Sequence, residues 1–161
     1  MIIRRVRTAD IASLHANRLC GLTIDETTEL VRSAVEQETG EEFCFLVAAD
    51  EQGVAGMTTV RRLEHRMRRH RAELGGFVIV PAARGTGLAR RIVGAAGDVV
   101  ARWGCSVLEV SCRGGTEAER AYRGLGFEEW GRLPDGLRDR GGLVYDEVRL
   151  WTAAVGQQGG E

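Results

Sequence analysis

The 161-residue chain contains no lysine, and all 22 of its basic residues are arginines. Without lysine, the chain cannot form a Schiff base with a carbonyl substrate. The P-loop of nucleotide triphosphatases, which requires Gly-Lys followed by Ser or Thr, is also excluded. Any phosphate-binding or acid–base chemistry in this chain must therefore depend on backbone groups, arginines, carboxylates, histidines or tyrosines.

Long apolar runs and an excess of charge of one sign are also missing. No stretch approaches the roughly 20 apolar residues of a membrane-spanning helix, and residues 1–5 do not resemble a signal peptide. We therefore expect a cytoplasmic protein with no membrane partner. The formal net charge of −1 argues against a general nucleic-acid binder.

Cysteine is present, but not in a pattern that predicts a disulfide or a metal site. The four cysteines form no C-x-x-C pair, and no histidine stands at metal-ligand spacing from them. This favours reduced thiols that serve as small hydrophobic residues in a reducing compartment, and it predicts no metal. The four are Cys20, Cys44, Cys105 and Cys112.

The length predicts one domain over residues 1–153, followed by a disordered tail at 154–161, of which residues 156–161 lack any core-forming residue. Apolar periodicity and turn residues predict the order β-α-α-β-β-β-α-β-α-β-β. The predicted strands are 2–7, 43–49, 54–63, 72–80, 106–111, 128–133 and 143–151. The predicted helices begin at Thr8, span 25–38, run from 88 to a stop at Gly104, and span 116–124. A Gly/Asp/Arg loop is predicted at 133–141.

The most informative segment is the turn that follows the strand 72–80. Pro81 ends the strand, and the small-residue turn contains Gly85 and Gly87 before an amphipathic helix begins. Glycines let the main chain approach a ligand, and the helix start adds positive potential, so this turn predicts a diphosphate cradle. A dinucleotide fingerprint is excluded because Arg90 stands where it needs a third glycine. The alternative is an ordinary strand-to-helix turn in which the glycines relieve strain.

Two motifs carry a family resemblance. The spacing Arg84-x-x-Gly87-x-Ala89 directly after a strand, and the later Ala118-x-x-x-Tyr122-x-x-x-Gly126-Phe127, resemble the Gcn5-related N-acetyltransferase (GNAT) family. The resemblance implies an α/β (α+β) fold with a mixed, mostly antiparallel central sheet flanked by helices. Its two central strands, here 72–80 and 106–111, would splay apart and admit the pantetheine arm of acetyl-CoA. The implied cofactor-binding residues are Val78, Ile79, Val80, Arg84, Gly85, Thr86, Gly87, Leu88, Ala89, Arg90, Gly115, Ala118 and Tyr122.

Acetyl transfer to an amine needs a base, an oxyanion donor and a proton donor for the departing thiolate. Glu73, in an otherwise apolar strand, matches the catalytic glutamate of some family members. The alternative is a structural glutamate paired with Arg69 or Arg71. The resemblance places the oxyanion donor at a backbone N–H near Val78. It also places the Tyr122 hydroxyl beside the cofactor sulfur, and the alternative is a tyrosine that only packs in the core.

One position departs from the family pattern. Relatives often carry asparagine seven residues before the tyrosine, where it binds the pantetheine arm, but this chain has Gly115 there. Thr116 or a main-chain group would have to replace that contact.

The arginine-rich stretch 61–71 has three interpretations: a solvated hairpin end, attraction of an acidic acceptor, or contact with the 3′-phosphate side of the cofactor. The fragment Arg69-His70-Arg71-Ala72-Glu73-Leu74 resembles bacterial enzymes that acetylate small toxins and antibiotics.

The sequence thus predicts an enzyme that transfers the acetyl group of acetyl-CoA, as co-substrate, to a primary amine of a small molecule, an antibiotic, toxin or metabolite. The transfer would occur by direct attack in a ternary complex. A non-catalytic acyl-CoA sensor and a peptide or protein N-acetyltransferase are the alternatives, and a homodimer stays open.

Overall fold

A computed structural model describes residues 1–154, so most of the predicted tail at 154–161 lies outside the described residues. One seven-stranded sheet runs through the molecule in the order β1-β2-β3-β4-β5-β7-β6. The predicted order of elements is confirmed. The strands are β1 Ile2–Arg5, β2 Phe43–Asp50, β3 Gly53–Arg62, β4 Arg71–Ile79, β5 Val107–Arg113, β6 Glu128–Arg138 and β7 Val144–Ala153. The α-helices are α1 Ile11–Ala16, α2 Ile24–Glu36, α3 Leu88–Arg102 and α4 Glu117–Gly124.

The fold class is confirmed, but several predicted boundaries are wrong. The predicted loop at 133–141 is mostly strand, because β6 continues to Arg138 in register with β7. The turn-forming residues there mark an irregularity between Leu133 and Leu137, where Asp135 has φ +55°. Thr8 starts a short 3-10 turn rather than capping α1, which begins at Ile11.

Two apolar cores lie on opposite faces of the sheet. The helices α3 and α4 cover one face, where Leu74, Val100 and Leu108 belong to the same buried cluster. The helices α1 and α2 cover the other face only over β1–β3, where Leu14, Val31 and Phe45 are buried together. On that second face, residues of β4, β5, β7 and β6 lie outside both clusters. We call this uncovered half the open face.

The sheet divides in its middle. The strands β4 and β5 run parallel but pair only at Arg71–Val107, Ala72–Leu108 and Glu73–Glu109. Beyond these pairs β5 continues beside β7, while β4 continues beside β3. From residue 74 to 79 the edge of β4 that faces β5 therefore has no strand partner. This fork confirms the predicted splay of the central strands.

A β-bulge lies in β4 at the fork. Thr59 faces Gly75 and Met57 faces Val78, so Gly76 and Phe77 together oppose Thr58. Gly76 adopts φ +54°, a conformation that suits glycine. The extra residue reverses the alternation of the strand. Phe77 and Ile79 therefore pack on the α3 side, whereas Val80 packs on the α1–α2 side.

The bulge also decides which backbone groups face the fork. The Val80 N–H donates to the Ala55 carbonyl at 2.8 Å, so Ala55 and Val80 form a hydrogen-bonded pair of the β3–β4 ladder. Such pairs alternate in an antiparallel ladder, and Val78 is therefore also directed at β3. By the same alternation, the N–H of Ile79 is directed away from β3 and into the fork. The oxyanion donor near Val78 stays a prediction.

Within residues 1–154, the helices are all too short or too polar to cross a membrane.

Candidate active site

A cleft of about 780 Å³ opens at the fork, on the α3–α4 side of the sheet. The edge of β4, the turn after it, the start of α3 and one side of α4 form its walls. Ten of the predicted cofactor residues line it: Val78, Ile79, Arg84, Gly85, Gly87, Leu88, Ala89, Arg90, Ala118 and Tyr122. The prediction did not include Phe77, Ala83, Arg113, Glu117, Ala121 and Leu125, which also line it.

The turn before α3 presents backbone donors to the cleft. The N–H groups of residues 85–90 have no hydrogen-bond acceptor within the described part of the chain. Gly85 and Gly87 adopt φ +74° and +80°, and a side-chain carbon at either position would meet open space. The positive end of the 15-residue helix α3 lies at the same place. This arrangement can bind a diphosphate through main-chain groups alone.

Tyr122 lies in the wall of the cleft formed by α4. Its ring packs edge-on against Phe127, with centroids 5.6 Å apart, and is tilted against Phe77 at 6.0 Å. The residue is buried, and this burial raises the pKa of its phenol to about 12. The hydroxyl has no hydrogen-bond partner among residues 1–154. It therefore stays protonated at neutral pH and is available as a donor to a molecule in the cleft.

Three predicted cofactor residues are missing from the lining, although the backbone N–H of one of them, Thr86, belongs to the donors of the turn. The side chain of Val80 packs into the α1–α2 core. The Thr86 hydroxyl donates to the Ala83 carbonyl at 2.7 Å. The N–H of Gly115 donates to the Glu119 carboxylate at 2.7 Å, so that group is not free for a pantetheine arm. Thr116 does not cap α4 with its side chain, because its hydroxyl donates to the Arg113 carbonyl at 2.6 Å.

Glu73 lies on the open face, at the last pair before the strands separate. Its carboxylate forms no ion pair or hydrogen bond with any described residue. Arg71 instead binds Glu109 at two points, 2.6 and 3.0 Å, and Arg69 binds Glu42. The structural pairing of Glu73 with Arg69 or Arg71 is therefore not present. Loss of hydration and the neighbouring Glu109 carboxylate raise the pKa of Glu73, although the residue is exposed.

A second cavity, of about 310 Å³, lies on the opposite side of β4 from the cofactor cleft. Its lining is mostly apolar and comes from β2, β3, β4, α2 and the chain after α1: Leu19, Cys20, Leu30, Phe43, Met57, Thr59, Arg61, Gly76 and Val78. Val78 lines both cavities. The two cavities therefore border the same bulged part of β4, one from each side. The sequence does not predict this cavity, because its walls come from five separate parts of the chain.

Arg61 supplies the one cationic group in that lining. Its guanidinium lies over the Phe43 ring, 4.6 Å from the centroid, and forms no ion pair within the described residues. It stands opposite Glu73 in the β3–β4 register, so both side chains leave the same face of the sheet. The Arg61 guanidinium thus belongs to the cavity lining, and Glu73 is its neighbour on the same face of the sheet.

The rest of the arginine-rich stretch is partly explained by structure. Arg62, Arg69 and Arg71 make ion pairs or backbone hydrogen bonds, while residues 66–68 form an exposed turn. Among residues 1–154, no three His, Cys, Asp or Glu side chains converge as a metal site would require.

Comparison with known proteins agrees with this geometry. Residues 13–127 match the model of the Acetyltransferase (GNAT) family. No curated protein sequence matches the chain.

Solved structures share the fold at low sequence identity. A ribosomal-protein-alanine N-acetyltransferase from Brucella melitensis is 22% identical, with a TM-score of 0.78 over 95% of this chain and 99% of that one. The putative acetyltransferase yncA from Salmonella typhimurium, solved with its cofactor acetyl-CoA, is 17% identical, with a TM-score of 0.77 over 99% and 97%. A chimera of the Vibrio cholerae spermidine N-acetyltransferase SpeG is 20% identical, with a TM-score of 0.75 over 95% of each chain.

Proposed function

The chain belongs to the GNAT acetyltransferase family and is an acetyl-CoA-dependent N-acetyltransferase, and from this premise we propose that its acceptor is a small molecule carrying both a primary amine and an acidic group. The observation that carries the proposal is the pair of cavities that both border Val78. One has the donors for a diphosphate. The other is apolar, small and cationic at one point.

The first part of the proposal concerns the cofactor. The free N–H groups of residues 85–90 hold the diphosphate, and the unpaired edge of β4 at Phe77 and Ile79 receives the pantetheine arm. Arg84, whose guanidinium donates to the Ile79 carbonyl at 3.3 Å, closes the turn against this edge. The acetyl thioester then lies at the bulge, beside Val78.

The second part concerns the acceptor. A cavity of about 310 Å³ suits a compact molecule rather than a folded protein surface. An unpaired guanidinium in an apolar lining favours a carboxylate or a similar anion on the acceptor. The same charge repels a polyamine. A folded ribosomal protein would have to insert a chain end into the cavity. These considerations favour the small acid-bearing amine over both alternatives.

In the proposed reaction, Glu73 accepts a proton from the acceptor ammonium, directly or through a water molecule. The free amine attacks the carbonyl carbon of the thioester, and an N–H of Phe77 or Ile79 stabilises the tetrahedral oxyanion. The intermediate collapses as the C–S bond breaks, and the excess proton on the nitrogen passes to water as the amide forms. Tyr122 donates a hydrogen bond to the departing thiolate, a role that its raised pKa allows because the phenol remains protonated.

The transfer is direct, without an acyl-enzyme. Cys20 is the cysteine that lines the acceptor cavity, and its thiol contacts the Met57 sulfur at 3.6 Å. Burial raises its pKa, which disfavours the nucleophilic thiolate.

The test is release of free thiol from acetyl-CoA with matched pairs of amines. Each pair consists of an α-amino acid and the same amine without its carboxylate; spermidine and a short peptide complete the set. We expect kcat/KM to be at least about tenfold higher for the acid-bearing member of the preferred pair. A preference for spermidine, for the peptide or for the decarboxylated amines would contradict the proposed acceptor class.

A further inference from the structure

Three guanidinium groups surround Glu73, and each is attached to something else. Arg61 from β3 lies over Phe43, and Arg149 from β7 lies 5.8 Å from the centre of the Trp130 ring. Arg71, two residues before Glu73 on the same strand face, is bound by Glu109. An arginine at this spacing can reach the glutamate. That Glu73 has no partner therefore needs an explanation.

Glu109 provides one. It stands directly opposite Glu73 in the last pair before the fork and is only 8% exposed. Its carboxylate binds the Arg71 guanidinium at two points, through Nε at 2.6 Å and Nη2 at 3.0 Å. The same guanidinium lies 5.4 Å from the centre of the Trp130 ring. Both attachments hold Arg71 toward β5 and β6, and its guanidinium forms no ion pair with Glu73.

We propose that Glu109 is a positioning residue for acetyl transfer: by holding Arg71 in a two-point ion pair, it keeps the Glu73 carboxylate unpaired beside the fork. The inference rests on the proposed role of Glu73 as the base. A base that is paired with arginine is a weaker proton acceptor, because the guanidinium stabilises its charged form. Glu109 therefore acts twice, by occupying Arg71 and by placing a second negative charge beside Glu73.

The charged groups that face Glu73 come from every strand around it. They are Arg61 on β3, Arg71 on β4, Glu109 on β5, and Glu147 and Arg149 on β7. Glu147 is itself engaged, since it accepts from the Ser111 hydroxyl at 2.8 Å and lies 3.6 Å from Arg149. Among the cations in this group, Arg71 is the one held by Glu109, the residue directly opposite Glu73.

The experiment compares pH profiles of kcat/KM for Glu109→Gln, Arg71→Gln and the double variant. In Glu109→Gln, Arg71 loses its carboxylate and turns to Glu73. We expect activity at neutral pH to fall about tenfold and the acidic limb to move about one pH unit lower. Arg71→Gln alone should lose much less activity. The double variant should recover most of the loss, because the arginine that captured Glu73 is gone.

A purely structural ion pair predicts a different pattern. The two single variants would then be equally damaged, the double variant would be no better, and the acidic limb would stay in place. That result would overturn the positioning role. Glu42→Gln is the matched control, because it releases Arg69 in the same stretch from a similar pair away from the fork. Its profile should match the wild type.

Two further measurements keep the outcome interpretable. Because Trp130 is 47% exposed, Trp130→Leu should fold even if Glu109→Gln does not. It should move the acidic limb of the pH profile to lower pH, as Glu109→Gln does, but by a smaller amount. Carbon-13 NMR titration of the Glu73 carboxyl measures its pKa without turnover. An unchanged pKa of Glu73 in Glu109→Gln and in Trp130→Leu would also overturn the proposal.

Glu73→Gln distinguishes a failure of the proposed base from a failure of the positioning role. If Glu73→Gln has the same pH profile as the wild type, Glu73 is not the base. If Glu73→Gln is defective but Glu109→Gln has a wild-type profile, only the positioning role is refuted.

Discussion

The two sides of β4 are built in different ways. On the side that we assign to the cofactor, the groups that we expect to bind it are mainly backbone N–H groups from one continuous turn, residues 85–90, and from the edge of β4. On the acceptor side, they are side chains from β2, β3, β4, α2 and the chain after α1. Val78 belongs to both sides and separates them.

This difference follows from what each side must recognise. A diphosphate and a pantetheine arm are the same in every turnover, and backbone groups bind them whatever the neighbouring side chains are. An acceptor is distinguished by shape and charge, which only side chains provide. We therefore expect substitutions on the cofactor side to impair every reaction of the enzyme, and substitutions on the acceptor side to change which amine is used.

The largest effect on activity is expected at Tyr122, the cofactor-side residue that we propose to contact the departing thiolate. Tyr122→Phe retains the ring that packs against Phe77 and Phe127 but removes the hydroxyl. We expect kcat to fall about 100-fold for every amine, with little change in acetyl-CoA affinity. Turnover within about twofold of wild type, when chemistry limits the rate, would assign Tyr122 a packing role only.

The next effect tests the diphosphate cradle. A side chain at Gly87 would project into open space that the ligand needs, so Gly87→Val should weaken acetyl-CoA binding about 30-fold, or about 2 kcal/mol. Gly104→Val is the matched control. Gly104, at the other end of α3, has φ +79° against +80° at Gly87 and equally open surroundings. Calorimetry that finds the same affinity loss in both variants would attribute it to backbone strain rather than to the cradle.

On the acceptor side, Arg61 should control selectivity. Arg61→Gln removes the free guanidinium from the cavity, so KM for the acid-bearing amine should rise about tenfold. The matched amine without a carboxylate should be unaffected, and acetyl-CoA affinity should not change. Equal losses for both amines would remove Arg61 from acceptor recognition.

The smallest effect concerns the stability that the contacts of Glu119, on α4, give to the fold. Glu119 accepts from the Gly115 N–H and binds Arg123 and Arg132, and these contacts lower its pKa from 4.5 to about 2. Because the folded-state pKa is depressed, its contribution to stability is present above about pH 4.5 and disappears as pH falls toward 2. Glu119→Gln should lower the free energy of unfolding by about 1 kcal/mol at neutral pH, and less in acid.

Urea denaturation at several pH values measures this difference. Glu117→Gln is the control, because Glu117 lies on the same helix but forms no ion pair with the described residues. A destabilisation that does not change with pH would contradict the account of Glu119.

The difference between a local backbone turn on the cofactor side and side chains from several elements on the acceptor side also explains what the sequence could predict. The cradle is a local motif, so the sequence predicts its residues without knowledge of distant contacts. The sequence does not predict the bulge, because the bulge arises where Gly76 and Phe77 of β4 together oppose Thr58 of β3.

The acceptor side is formed by contacts between residues that lie far apart in the sequence. The sequence offered Arg69 and Arg71 as partners of Glu73, but each pairs with a carboxylate far along the chain, Glu42 or Glu109. Likewise, Phe43 and Arg61 meet only because β2 and β3 are adjacent. Local pattern contains no information about such pairings, so the second cavity was visible only in the fold.

The central claim is that Glu73, unpaired at the fork, is the base that deprotonates the acceptor. The most direct measurement is the pH profile of kcat/KM for wild type and Glu73→Gln with one competent amine. We predict that Glu73→Gln lowers activity most near neutral pH and that the gap narrows at high pH, where the free amine is already neutral. Superimposable profiles would contradict the claim and would leave the amine to lose its proton without Glu73.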